Sequence, residues 1–145
     1  MREVVQTFAP FPDIDRCAAV LDGARLRSNV SEAWVMLTVK PGSPWSRHVV
    51  TRMWAGHEYA LRTFALACSS ECARRGYKEP YRIRIESLTF PDTGFPSWWG
   101  DPSVHHRYRS LLRAKLPDWY RPRLPVEEDV PFDYPIPMLS KRKNR

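Results

Sequence analysis

Arg25, Asn29 and Glu32 stand at spacings of four and three, beside a second set, Leu26, Val30, Ala33 and Leu37, at four, three and four. On a helix the apolar set forms a stripe that can bury, and the polar set lines the opposite side. Arg25 and Glu32 are two turns apart, within about 20° of each other around the axis. A carboxylate beside fixed cations and amides can polarise a sugar oxygen or take a proton, and arginines on the same surface can grip phosphates. Two readings are open: a solvated charged face, or a catalytic carboxylate at Glu32.

His57 is the one strongly polar residue in a long apolar line, Val50, Met53, Trp54, Leu61, Phe64, Ala65, Cys68 and Cys72. It is either a satisfied core histidine or a positioning group and proton partner. His105, Arg109 and Arg113 stand at i, i+4 and i+8, a single cationic row that suits a phosphate track or an ordinary exposed basic face. Trp98 and Trp99 precede that row, and Trp119 and Tyr120 follow it. Such aromatics serve equally for stacking on unpaired bases and for packing. The chain has no phosphate-binding glycine loop, no nucleophile elbow and no helical zinc motif with paired histidines.

A chain of 145 residues, 43% hydrophobic and with six each of Trp, Tyr and Phe, can build one core and is not of disordered composition. The expected layout is one domain over 1–137 and a basic tail over 138–145. The formal net charge of +7 favours polyanions, nucleic acid before an anionic membrane surface. No apolar run reaches the roughly 18–20 residues of a membrane span, and Pro10 and Pro12 interrupt the start where a signal peptide would lie. A cytoplasmic location is therefore expected. Cys17, Cys68 and Cys72 are an odd set in such a chain, which argues against a disulfide framework. Cys68 and Cys72 share a face with Leu61, Phe64 and Ala65, so core packing is expected; a metal pair is the alternative.

The elements that must position these residues are predicted to be helical. Asp13 caps a first helix to about Asp22, and Gly23 breaks or bends it. A second helix covers about 24–39, and 40–45 is a loop. The longest pattern runs from Ser46 to about Arg75, kinked at Gly56 and stopped by Gly76. Residues 81–90 alternate like a strand, yet no second strand is evident, so a short helix or extended segment is equally open. Asp101 and Pro102 open a last helix to about Leu116. From Pro117 to residue 137 the chain carries six prolines, so an extended segment wrapped over the bundle is expected. The fold class is all-α, three to four helices with that proline-rich C-terminal wrap.

Three segments in order carry a family likeness: Leu21, Asp22, Arg25, Leu26, Glu32 and Ala33; MWAGHEYAL at 53–61 with ECARRGY at 71–77; and WWGD with HHRYRSLLRAKLPDWY within 98–120. The sequence resembles the phage endonuclease V type of pyrimidine-dimer DNA glycosylase and its bacterial and phage relatives. The resemblance implies a cofactor-free all-α domain that binds kinked DNA with a flipped nucleotide. It implies an N-terminal amine that attacks the sugar C1′ to give an imine, and a glutamate, here Glu32, that assists sugar opening and β-elimination. Met1 supplies that amine here, because the bulky Arg2 follows it where the family has a small residue that lets Met be removed. Arg2 and Arg25 fall where the family has basic clamps. Val30 and Ser31 stand where an arginine precedes the family's glutamate; whether Arg27, one turn earlier, substitutes for it is open.

The reading is a DNA-repair glycosylase with abasic-site lyase activity, no metal or cofactor, and damaged or abasic double-stranded DNA as partner. Its catalytic residues are Glu32 and Met1. Its DNA contacts are Arg2, Arg25, Arg27, His57, His105, Arg109 and Arg113, and a monomer is favoured. The alternatives are a non-catalytic DNA-binding module of the same fold, and a protein-interaction factor using the tryptophans and the proline-rich segment.

Overall fold

The computed structural model describes residues 6–137, so the expectations for Met1, Arg2 and the tail lie outside the described residues. Among the described residues the fold is all-helical, without a strand: α1 (Ile14–Val20), α2 (Gly23–Leu37), a 3₁₀ turn (Pro44–Arg47), α3 (Val49–Trp54), α4 (Glu58–Arg74), α5 (Arg82–Glu86), α6 (Pro102–Lys115) and α7 (Pro117–Tyr120). Seven α-helices stand where three to four were expected. None is long and apolar enough to cross a membrane.

Three aspartates start helices, Asp13 and Asp101 as predicted and Asp22 where the end of the first helix was expected. Asp13, Asp22 and Asp101 each accept a backbone N–H from the first turn, at Arg16, Arg25 and Ser103. The predicted stripe of α2, Leu26, Val30, Ala33 and Leu37, is buried. It packs mainly against α4, whose Leu61, Phe64, Ala65, Cys68 and Cys72 are buried with it.

The single long helix predicted from Ser46 is in fact three pieces. Pro44 opens the 3₁₀ turn, and His48 then starts α3 by accepting the Val50 N–H on its Nδ1 at 3.2 Å. At the other end Gly56 ends α3 instead of kinking through it. Its φ of +83° is left-handed, and the His57 N–H closes on the Trp54 carbonyl at 2.8 Å. Nothing lies within 4 Å of a Cβ placed on Gly56, so Gly56→Ala meets strain but no clash. It is expected to cost about 1–2 kcal/mol, read as a lower midpoint in urea with an unchanged slope.

The end of α4 follows the prediction. Gly76 (φ +82°) donates to Ala73 at 3.0 Å and Tyr77 donates to Cys72 at 2.8 Å, the two bonds of a Schellman cap. Of the alternating stretch 81–90, Arg82–Glu86 is the short helix α5 and 88–90 is not helical; Ile85 is buried while Ile83 is 80% exposed. Arg62 of α4 holds α5 by donating to the carbonyls of Ile85 (3.3 Å) and Glu86 (3.0 Å).

α7 was hidden among prolines. It brings Trp119 to the α1–α2 corner, where its indole donates to the Val20 carbonyl at 2.8 Å. Arg75 donates to the carbonyls of Leu21 (2.7 Å), Ala19 (3.0 Å) and Ala18 (3.3 Å) at the same corner. Together they satisfy the open carbonyl end of α1. Residues 121–137 contain no helix; Phe132, Tyr134 and Ile136 rest half-buried on the core, with Phe132 5.1 Å from Tyr108 between ring centroids.

Candidate active site

The site is built on one face of α2. At its start the buried Asp22 caps the helix and accepts from the Tyr120 hydroxyl and from Arg25 Nη1 (3.3 Å). Burial raises the Tyr120 hydroxyl above its ordinary range, so it stays a donor. Arg25 is thus turned back toward the helix start, with its guanidinium 6.0 Å from the Phe8 ring. Its Nε has no hydrogen-bond partner among the described residues.

The Arg25–Asn29–Glu32 line is where the structure departs most from the sequence reading. Asn29 is 2% exposed, not solvated. Its Oδ1 accepts the Phe8 N–H at 2.8 Å and its Nδ2 donates to the Phe8 carbonyl at 3.2 Å. A side-chain amide so pairs with both backbone groups of one residue in a passing segment. At Asn29 the face is therefore covered by the protein's own N-terminal segment. Glu32, one turn on, is half-buried.

That segment is tied at five consecutive residues. Trp54 Nε1 donates to Thr7 Oγ1 at 3.1 Å, and Asn29 holds Phe8. His105 Nδ1 lies 2.8 Å from the Ala9 carbonyl, and Arg109 Nη1 donates to the Pro10 carbonyl at 2.9 Å. Cys17 Sγ donates to the Phe11 carbonyl at 3.1 Å and accepts its N–H at 3.3 Å. Extended backbone makes no bonds with itself, so each buried polar group needs such a partner. The cysteines are free and buried; burial pushes the Cys17 thiol up to about 12, which keeps it a protonated donor.

The cationic row on α6 is corrected by the same contacts. His105 is 1% exposed and reaches no solvent-facing phosphate track. Its Nε2 accepts the Gly100 N–H at 2.9 Å, so Nδ1 carries the proton given to Ala9. Burial, the larger effect, lowers its pKa, with the Arg109 charge acting the same way; the Ala9 bond and Asp101 oppose them. Arg109 makes a two-pronged pair with Glu127 at 2.7 and 3.0 Å. Arg113 is 6% exposed and pairs with Glu127 (3.0 Å) and Asp129 (2.7 Å). Both guanidinium groups are occupied from within.

A pH dependence follows from His105. Its folded pKa lies below the unfolded value of about 6.5, so the unfolded chain binds the proton first. Stability is then full above about 6.5 and falls as pH drops toward the folded value. Melting temperatures between pH 8 and 5 are expected to decline for the wild type, and His105→Gln is expected to remove that part of the slope.

The remaining predicted residues are dispersed. Arg27 is exposed, 5.0 Å above the Tyr77 ring. His57 is not in an apolar stripe; it sits in the α3–α4 break, with Nδ1 3.1 Å from the Gly94 carbonyl, tying that break to the 89–97 loop. Trp98 and Tyr120 are core residues, and the Trp98 indole donates to the Met53 carbonyl at 2.9 Å. Phe95, which the sequence reading passed over, is the exposed aromatic there (43%), stacked on Trp99 at 4.7 Å. Among the described residues no three His, Cys, Asp or Glu side chains gather as a metal site requires.

This helical domain, which anchors its own N-terminal segment to the helix that carries Arg25 and Glu32, falls within one class, DNA-repair glycosylases, by its match to a family model. Residues 5–83 match the pyrimidine dimer DNA glycosylase family, and the chain belongs to that family. No curated protein and no solved structure matches the chain. The matched stretch includes residues 7–11, Arg25, Asn29 and Glu32; it ends before α6 and α7, which supply His105, Arg109 and Tyr120.

Proposed function

We propose that this protein is a glycosylase with abasic-site lyase activity on double-stranded DNA, using the α-amine of Met1 and the carboxyl group of Glu32. The observation that carries the reading is the anchoring of Phe8 to Asn29, on the same helix face as Arg25 and Glu32, with Thr7 held beside it by Trp54. Phe8 is held one turn from Glu32, and the seven residues from Phe8 back to Met1 span at most about 25 Å, enough to bring residue 1 to that acid.

The neutral amine attacks C1′; the N–C1′ bond forms, the glycosidic bond breaks with its electron pair leaving on the base, and the nitrogen gives up a proton. Glu32 gives a proton to O4′ as C1′–O4′ opens, leaving a protonated imine. The resulting carboxylate takes a C2′ proton, and the electrons expel the 3′ phosphate as C3′–O breaks. An α-amine has an ordinary pKa of about 7.7–8.0, and neighbouring arginines favour its neutral form. Arg25 lies on this face and is assigned the phosphate and sugar contacts, with Arg2 from the sequence; Arg27, about half a turn around α2 and stacked over Tyr77, is assigned a phosphate contact outside it. His105, Arg109 and Arg113 are left out of the DNA interface because their polar groups are engaged inside the protein.

The test is borohydride trapping on a duplex with one abasic site, after mass spectrometry of the N-terminus. An adduct on residue 1 supports the reading. Salt-sensitive duplex binding with no adduct overturns it in favour of a non-catalytic DNA-binding module.

A further inference from the structure

We infer that Asn29 is a positioning residue for the imine chemistry: its two bonds to Phe8, reinforced by the Trp54–Thr7 bond, fix the register of residues 7 and 8 on the helix that carries Glu32, the anchor from which the N-terminal amine would act. The inference rests on the imine reading above and deepens it.

A chain terminus with no anchor samples a large volume, and a nucleophile on it acts at low effective concentration. An anchor close in sequence to the nucleophile and close in space to the acid removes most of that freedom. Asn29 meets both conditions: it binds residue 8, and it lies on the same helix face as Glu32, one turn away.

The bonding is also specific to register. An amide that gives one bond and takes one from the same residue fits that residue and not its neighbours, whose groups point the other way in extended chain. Trp54 reads the preceding residue by its hydroxyl, from α3 and independently of α2. Sliding the segment by one residue would break both contacts and leave the buried indole N–H, the Asn29 amide and the Phe8 backbone unpaired. The segment therefore has one seating. The ties at Ala9, Pro10 and Phe11 hold the chain beyond the anchor; Asn29 and Trp54 hold the part nearest the amine.

The experiment measures single-turnover imine trapping at saturating protein, alongside affinity for a duplex carrying a tetrahydrofuran abasic analogue that cannot form an imine. Asn29→Ala and Thr7→Val are compared with wild type. Each is expected to slow trapping about 10- to 100-fold while affinity for the analogue stays within about twofold and the pH profile of trapping keeps its midpoint. Asn29→Gln, which keeps both amide functions, is expected to recover part of the rate. Thr7→Val is isosteric and decides the question if Asn29→Ala does not fold. Trapping at the wild-type rate in the folded variants overturns the inference and leaves the imine reading standing. Loss of rate and affinity in parallel also overturns it, since that is the mark of a purely structural residue. Absence of any adduct in the wild type overturns both.

Discussion

Glu32→Gln is expected to abolish strand cleavage at abasic sites and to leave binding of the duplex nearly unchanged. Glutamine keeps the size and polarity of the side chain but can neither give a proton to O4′ nor take one from C2′. A positioned acid–base group contributes about 10²–10⁴-fold to such steps, so cleavage should fall by that factor in a gel assay of nicked product. Affinity comes largely from phosphate contacts, which the substitution does not touch. Binding should therefore keep its steep decline with salt. Equal cleavage by the two proteins would remove Glu32 from the mechanism. A loss of binding as large as the loss of cleavage would make it a structural residue of the α2 face.

The largest expected effect on stability lies at Glu127. Its carboxylate is shared by Arg109 and Arg113, and Arg113 is almost wholly buried. The Arg109 bonds above all, then those of Arg113, hold the Glu127 pKa down at about 2, against an ordinary value near 4.5. A group whose folded pKa is depressed adds stability that is complete above the unfolded value and is lost as pH falls through the folded one. Glu127→Gln keeps the shape but leaves the buried Arg113 charge to Asp129 alone, which is itself mostly exposed. Removing one partner of a buried pair typically costs about 3–5 kcal/mol. The melting temperature at pH 7 should drop by about 10 °C or more, and the acid limb between about pH 4.5 and 2 should flatten relative to wild type. Arg109 also holds Pro10, so the same variant should expose residues 6–11 to protease earlier in a thermal ramp.

The two effects separate what the residues do. Glu32 acts at the reacting sugar in the proposed mechanism, where a change should read in rate. Glu127 acts on a buried cation far along the chain, where a change should read in stability.

Much of the fold could be read locally. Asp13 and Asp101 each mark a helix start because a short acidic side chain satisfies a first-turn N–H that no earlier residue can reach; Asp22, read as the end of the first helix, caps the second in the same way. Gly76 marks a helix end because the left-handed residue of a Schellman cap tolerates little else. The stripe of α2 follows from helical periodicity and a chain with enough apolar residues to bury it. Gly56 was less legible: the same residue suits a kink or a stop. The choice fell to surroundings distant in sequence, where Trp98 bonds the Met53 carbonyl and the 93–94 loop meets His57. α7 was not legible, since four residues among prolines carry no period, and its place depends on Trp119 and Tyr120 finding partners about a hundred residues earlier.

At the candidate site, spacing alone determined that Arg25, Asn29 and Glu32 share one face and that His105, Arg109 and Arg113 form one row, because helical geometry fixes the angle between residues of the same helix. Only the tertiary structure decided what meets those faces. Asn29 finds Phe8, His105 finds Ala9, Arg109 finds Pro10 and Glu127, and Arg113 finds Asp129. A polar or charged side chain can be satisfied by water or by another part of the chain, and its local sequence is the same in both cases. The choice is made when long-range packing removes the water, and from then on each buried donor must have an acceptor within reach.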